Sequence, residues 1–196
     1  MQAPQSLKAL ICLDFQNDIV HAEGKVSAKG YTAYNAEYGV TAKVQQLQNQ
    51  FRAKGFPVIH VRVGFSADYR EQPKSSPLMG RAHEFGAFLM NAWGTEFFTE
   101  TAPQANEKII TKHRVSAFYA TELELLLRTQ NIRDIYLAGV ATDMVVESTA
   151  RDAHDRDFIT TVVEDCCIAA KREDHQHSLQ AMKKIAHVIS LAEVGL

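Results

Sequence analysis

Short runs of consecutive apolar residues alternate along this chain with longer stretches in which apolar positions recur at helical spacing. Lys8 to Leu13 (KALICL) is the first run, with the pattern of a strand buried on both faces, and it delivers Asp14 to its C-terminal end. Between Ala36 and Lys54, Val40, Val44, Leu47 and Phe51 recur at helical spacing and Gly55 follows as a stop, which predicts the first crossover helix. Phe56 to Val63 is β-rich, so strand, helix and strand follow in the order of a parallel βαβ unit. Lys108 to Thr111 predicts a third strand, bringing Lys112 to its end as the first strand brings Asp14. Thr121 and Glu124 have the spacing of a capping box, opening a helix through Gln130, and Ile135 to Ala138 is a fourth strand. Gly139 to Asp143 then turns into a helix reaching about Asp155, with Thr142 or Asp143 as its cap and Val145 in its first turn. Phe158 to Val163 predicts a fifth strand, Asp174 to Ala186 a helix, and Val188 to Leu191 a short sixth strand.

Strands and helices alternate from end to end without repeat or linker, which predicts a single α/β domain over residues 1–196. The rhythm breaks only between Gly64 and Asn106, where Pro73, Pro77, Gly80, Gly86, Gly94 and Pro103 are interleaved with Phe85, Phe88, Trp93 and Phe97. An insertion of that length is either part of a site or interface, or a surface excursion with one short helix.

Composition narrows the partners. With 46% hydrophobic and 22% charged residues the chain is globular, and a net charge of −2 with scattered Lys and Arg leaves no stripe for nucleic acid. The apolar run near the N-terminus has no basic leader and is too short to span a bilayer, so a cytoplasmic protein without a membrane partner is expected. Cys12, Cys166 and Cys167 are an odd number with one adjacent pair following the fifth strand, which predicts reduced thiols. His175 and His177 stand two apart on a predicted helix, facing different sides, and read as solvated surface; no metal and no cofactor are expected.

In an open parallel sheet ligands bind beyond the carboxyl ends of the strands, which singles out Asp14, Lys112 and the Gly139–Val145 turn. Taken singly, these read equally as a turn former, a solvated strand end and a tight-turn glycine. Together, a carboxylate and an ammonium at one sheet edge hold each other ionised and move protons in a low-dielectric cleft, while amides at a helix N-terminus add an anion site. That is equipment for chemistry on a carbonyl, a carboxylate or an oxyanion.

Leu13-Asp14-Phe15-Gln16-Asn17-Asp18, Lys112-His-Arg-Val-Ser-Ala-Phe118 and Gly139-Val-Ala-Thr-Asp-Met-Val-Val-Glu-Ser-Thr-Ala150 resemble three ordered motifs of the isochorismatase-like cysteine hydrolases. The resemblance implies a three-layer α/β/α fold with a mainly parallel sheet of about six strands, assembled as a homodimer or homotetramer. It implies a catalytic aspartate and lysine at Asp14 and Lys112, a cis peptide between Val140 and Ala141, and an oxyanion hole of the Ala141 and Val145 amides. The nucleophilic cysteine of the family falls at Val145. Gln16, Trp93, Arg114, Phe118, Val140 and Ala141 are the candidate substrate-binding residues.

No other residue takes over the nucleophile's place: Cys12 lies inside the first strand, Cys166 and Cys167 lie outside the motif, and Ser148 has no histidine beside it. The nicotinamidases of this superfamily carry a metal-binding Asp-x-His segment after the second strand, where this chain has His60-Val-Arg-Val-Gly-Phe65. Two functions remain. One resembles the true isochorismatases, which have glycine at the nucleophile position and hydrolyse a vinyl ether by acid assistance; Asp14 would be the acid, Lys112 its partner, and Arg62, Arg81 or Arg114 would hold a small carboxylate substrate. The other is a catalytically inactive member that binds a small carboxylate or a protein partner.

Overall fold

Strands that are apolar at nearly every position must be covered on both faces, and the sheet is arranged accordingly. In the computed structural model, which describes residues 7–196, the strands are β1 (Leu7–Leu13), β2 (Val58–Val63), β3 (Lys108–Lys112), β4 (Ile132–Val140), β5 (Ile159–Ile168) and β6 (His187–Ile189). All pair in parallel, in the order β3-β2-β1-β4-β5-β6. Side chains alternate across β1, so Leu10 and Cys12 join α3 (Val40–Ala53) through Val44, Leu47 and Phe51. Ile11 and Leu13 face the other way, into a core with α5 (Leu123–Thr129), α6 (Glu147–His154) and α7 (Arg172–Met182). The result is the three-layer α/β/α architecture.

The chain builds β1, β2 and β3 outward in one direction, then returns to lay β4 against the free side of β1 and continues to β6. Neighbouring crossovers leave the carboxyl ends of β1 and β4 on opposite faces, and the crevice between them is the switch point where such sheets take ligands.

Several boundaries differ from the expected ones, each for a local reason. The predicted Ala36–Lys54 helix is two, α2 (Tyr31–Tyr38) and α3, because Gly39 adopts a left-handed φ of 62°. The capping box at Thr121 does not form: the Thr121 hydroxyl donates to the Ala117 carbonyl at 2.6 Å and accepts from the Leu123 amide at 3.2 Å, while Glu124 pairs with Arg128 and Arg156. Neither Thr142 nor Asp143 caps a helix; a single π turn, Thr142–Val146, leads into α6. β5 does not stop at Val163. It bulges at Glu164 and Asp165 and re-enters the ladder, Cys167 opposite Gly139 and Ile168 opposite Val140, so Cys166 and Cys167 belong to the strand and are buried. Val188–Leu191 is a strand only over His187–Ile189, and the last predicted helix is α7. His175 is not surface but buried, 4% exposed, whereas His177 is exposed.

The first six residues, on which part of the reading of the N-terminus rests, lie outside the described residues. No helix among the described residues is long and apolar enough to cross a membrane.

Candidate active site

β1 ends where the Asp14 amide donates to the Val61 carbonyl at 2.8 Å, and Asp14 itself takes a left-handed φ of 59°, which turns its side chain out of the strand's alternation. β3 reaches the same edge two strands away from β1, with Lys112 level with Val63 of the intervening β2. Lys112 is fully buried and lays its ammonium across to Asp14, donating to Oδ2 at 2.8 Å and to the Arg114 carbonyl at 3.0 Å. Asp14 is 2% exposed, and its other oxygen, Oδ1, is buried without a hydrogen-bond partner. A buried polar atom without a partner is uncommon, and here it leaves an acceptor free on a residue that lines a cavity. Burial raises the Asp14 carboxyl above the ordinary carboxylate range, against the opposing charge and hydrogen bond of Lys112.

The peptide between Val140 and Ala141 is cis, where the resemblance placed it. Among the described residues the Ala141 amide finds no acceptor within the protein, so a donor stands free at the start of the π turn. The turn is held from behind by α7. The Thr142 hydroxyl donates to the Ile168 carbonyl at 3.1 Å and lies 2.9 Å from Nδ1 of His175, and the Ser178 hydroxyl lies 3.2 Å from the Thr142 carbonyl and 2.7 Å from Glu147 Oε2. Burial depresses the His175 imidazole to about 4, helped by the Arg172 charge, so at neutral pH it is uncharged and meets Thr142 as a neutral partner.

A cavity of about 80 Å³ opens between the ends of β1 and β4. Asp14, Val140, Ala141 and Val145 line it, and Lys112 stands behind Asp14. Val145 is 7% exposed, its side chain occupying part of the wall. The structure does not bring the remaining candidates into this lining. Gln16 is fully buried and clamps Val63, Nε2 donating to its carbonyl and Oε1 accepting from its amide, which extends the β1–β2 ladder. Trp93 is 44% exposed and meets His21 edge-on, and its carbonyl accepts from the Asn17 side chain and the Glu96 amide. Arg114 donates through one guanidinium nitrogen to the Glu71 and His113 carbonyls and does not line the cavity. Phe118 stacks on Phe158 in the opposite core. Arg62 bonds Thr111 and the Thr95 carbonyl, and Arg81 pairs with Glu84 on the surface, so none of the three arginines serves the cavity.

The thiols are equally remote. Cys12, Cys166 and Cys167 are buried outside the lining, and burial pushes Cys12 and Cys167 up to about 12 and Cys166 well above the ordinary thiol range. Among the described residues no three His, Cys, Asp or Glu side chains cluster as metal ligands do.

Sequence reasoning missed most of the wall. Ile19, Val26, Lys29 and Tyr31 come from the segment after β1, and Leu78, Met79 and Phe88 from the insertion. It also missed what joins these two segments. Asp18, 2% exposed, accepts from the Phe88 amide through Oδ2 at 2.6 Å and from the Lys25 amide through Oδ1 at 3.3 Å. Gly94 packs so closely on that carboxylate that any side chain there would collide with it. The only signal in the sequence was Asp18's place in the first motif and the glycines of the insertion.

An isochorismatase domain model matches residues 8–193. The chain is 36% identical over 190 residues to the isochorismatase family protein YecD of Escherichia coli O157:H7, covering 95% of this chain and 93% of that protein. It is 31% identical over 182 residues to the ureidoacrylate amidohydrolase RutB of Stutzerimonas stutzeri, covering 87% and 73% respectively. Among solved structures, an isochorismatase family protein from Desulfovibrio vulgaris superposes with a TM-score of 0.86 at 26% identity, over 95% of each chain.

Proposed function

This chain belongs to the isochorismatase family and is a hydrolase of that family, and from that premise we propose that it hydrolyses its substrate without a covalent nucleophile, Asp14 moving the proton and water attacking. The observation that carries the reading is the Asp14 carboxyl: buried, raised above the ordinary range, held at Oδ2 by Lys112 and unpartnered at Oδ1 beside the cavity. A carboxyl that keeps its proton at higher pH than usual suits a general acid.

The substrate class is a small vinyl ether bearing a carboxylate. Asp14 gives its proton from Oδ1 to the enol carbon, leaving a carboxylate that Lys112 stabilises and an oxocarbenium ion that the new carboxylate faces. Water adds to that ion and gives one proton back to the Asp14 carboxylate, and the resulting hemiketal breaks its carbon–oxygen bond, its hydroxyl proton passing to the departing oxygen, to release a carbonyl compound and an alcohol. The free Ala141 amide offers a donor to the oxygen that departs as the hemiketal breaks. RutB is named for amide hydrolysis on ureidoacrylate, itself a small carboxylate. A thiol route at residue 145 is closed to this chain because valine has no nucleophilic atom.

A second reading, a protein that binds a small carboxylate without turning it over, is favoured by Val145 alone, whose side chain fills wall space. Incubation with a panel of carboxylated vinyl ethers and small amides, followed by product detection, separates the two. Turnover that falls at least about a hundredfold in Asp14→Asn supports the hydrolase, the loss expected for a proton-transfer group. Stabilisation by small acids with no turnover from any substrate would replace it with the binding protein.

A further inference from the structure

The cavity wall is apolar apart from Asp14 and two neighbouring residues, Lys29 and Tyr31. Lys29 is exposed at the rim and Tyr31 is half-buried, and among the described residues the Lys29 ammonium enters no ion pair or hydrogen bond and the Tyr31 hydroxyl donates none. Two unengaged donors on one side of an otherwise apolar cavity are arranged for an acceptor that comes from outside. The field of the Asp143 carboxylate is felt at Tyr31, but no hydrogen bond joins it to either donor and it is not part of the lining.

The position of the pair is built rather than incidental. Lys29 and Tyr31 straddle Gly30, whose φ of 110° sends the chain sharply into α2 and whose Cα packs against the Ala170 carbonyl so closely that a Cβ would stand 2.5 Å from it. Upstream, the Ser27 hydroxyl meets the Ala22 and Gly24 carbonyls at 3.0 and 2.8 Å, and the Val26 amide donates to the Asp18 carbonyl at 2.9 Å. The segment is therefore pinned on both sides of Lys29.

From this placement we propose that Lys29 and Tyr31 are the specificity-determining residues of the site, gripping the carboxylate of a small monocarboxylic acid whose apolar body lies along the cavity towards Asp14. The inference rests on the reading of the same cavity as the substrate site. It moves substrate recognition from the arginines to the segment after β1, and it assigns the two ends of the substrate: anion at Lys29 and Tyr31, reacting centre at Asp14. An ammonium and a phenol make charge-assisted bonds to a carboxylate that a neutral amide of the same shape does not reproduce.

The test is binding, independent of turnover, with butanoate and butanamide as isosteric probes followed by NMR titration. Wild-type protein binds butanoate roughly tenfold more tightly than butanamide, the lower end of what a charged hydrogen bond contributes. Lys29→Gln abolishes that preference while leaving butanamide binding unchanged, Lys29→Arg keeps it, and Tyr31→Phe reduces it. Asp14→Asn keeps the preference although it ends any turnover, so failure of the proton-transfer reading and failure of this one are told apart. Equal affinity for the two probes in the wild type, or an undiminished preference in Lys29→Gln at unchanged melting temperature, overturns the assignment.

Discussion

A fully buried lysine facing a buried aspartate is the costliest pair of residues in this molecule to leave half made. Removing one partner strands the other in low dielectric, and Lys112→Met is expected to cost about 3 kcal/mol in denaturant unfolding at neutral pH. The sign with pH is testable too. Without the ammonium, the Asp14 carboxyl rises still further above its unfolded value of 3.8, so part of the lost stability returns as the pH falls towards that value and the carboxyl takes up a proton. In the intact enzyme the same raised carboxyl predicts turnover that is highest on the acid side and declines as pH rises through the Asp14 ionisation, read as the basic limb of a pH profile of kcat/KM. Val145→Cys places a thiol in the wall beside Asp14; it is expected to fold with a stability change under about 1.5 kcal/mol and to be alkylated by iodoacetamide at residue 145, while the three native thiols, buried and held protonated, are spared. At this scale Asp14 and Lys112 were legible because strand ends announce themselves in an apolar pattern. The place of Lys29 at the cavity rim was not, since an exposed lysine in an irregular segment gives no sign of which surface it borders.

Elements were legible where one periodicity ran unbroken. Leu10 to Leu13 and Val44 to Phe51 show this, and their strand and helix stand where the pattern put them. Misreadings cluster where backbone geometry overrides composition. Glu164 and Asp165 look like a strand end, yet a bulge lets them leave the ladder and lets Cys166 and Cys167 return to it. Gly39 looks like a helical interruption of no consequence, and it is the left-handed joint between two helices; Gly39→Ala, with open space around it but an unfavourable φ, is expected to cost about 1 kcal/mol in thermal or denaturant unfolding. His175 was misplaced because the spacing of His175 and His177 shows only that they face different sides, whereas Leu179 and Met182 further along, which are buried, mark the side that His175 shares. Its burial gives α7 a pH dependence. The folded protein holds this imidazole neutral down to about 4, whereas the unfolded chain protonates it near 6.5, so its contribution is complete above 6.5 and is lost as pH falls from there towards 4. Arg172 opposes that protonation and Asp165 favours it. The midpoint of urea unfolding should therefore fall across that window in the wild type more steeply than in His175→Gln.

For the whole molecule, the order β3-β2-β1-β4-β5-β6 decides where the candidate site lies, because the reversal beside β1 is what opens a crevice between Asp14 and the Val140–Ala141 turn. That reversal was implicit in the alternation of strands and helices, but strand order is set by long-range pairing that no local pattern encodes. Leu78, Phe85, Trp93 and Met144 remain exposed on the single chain, and burying such residues motivates the expectation of a homodimer or homotetramer, to be read as molar mass by light scattering. Asp18 bears on time rather than on affinity. Because one carboxylate fastens the Lys25 amide and the Phe88 amide together, the two segments that wall the cavity cannot part separately. Parting of these two segments to admit or release a guest then requires rupture of the Asp18 bonds. Hydrogen exchange at those two amides should accelerate together in Asp18→Asn, with residence time shortened in the same proportion.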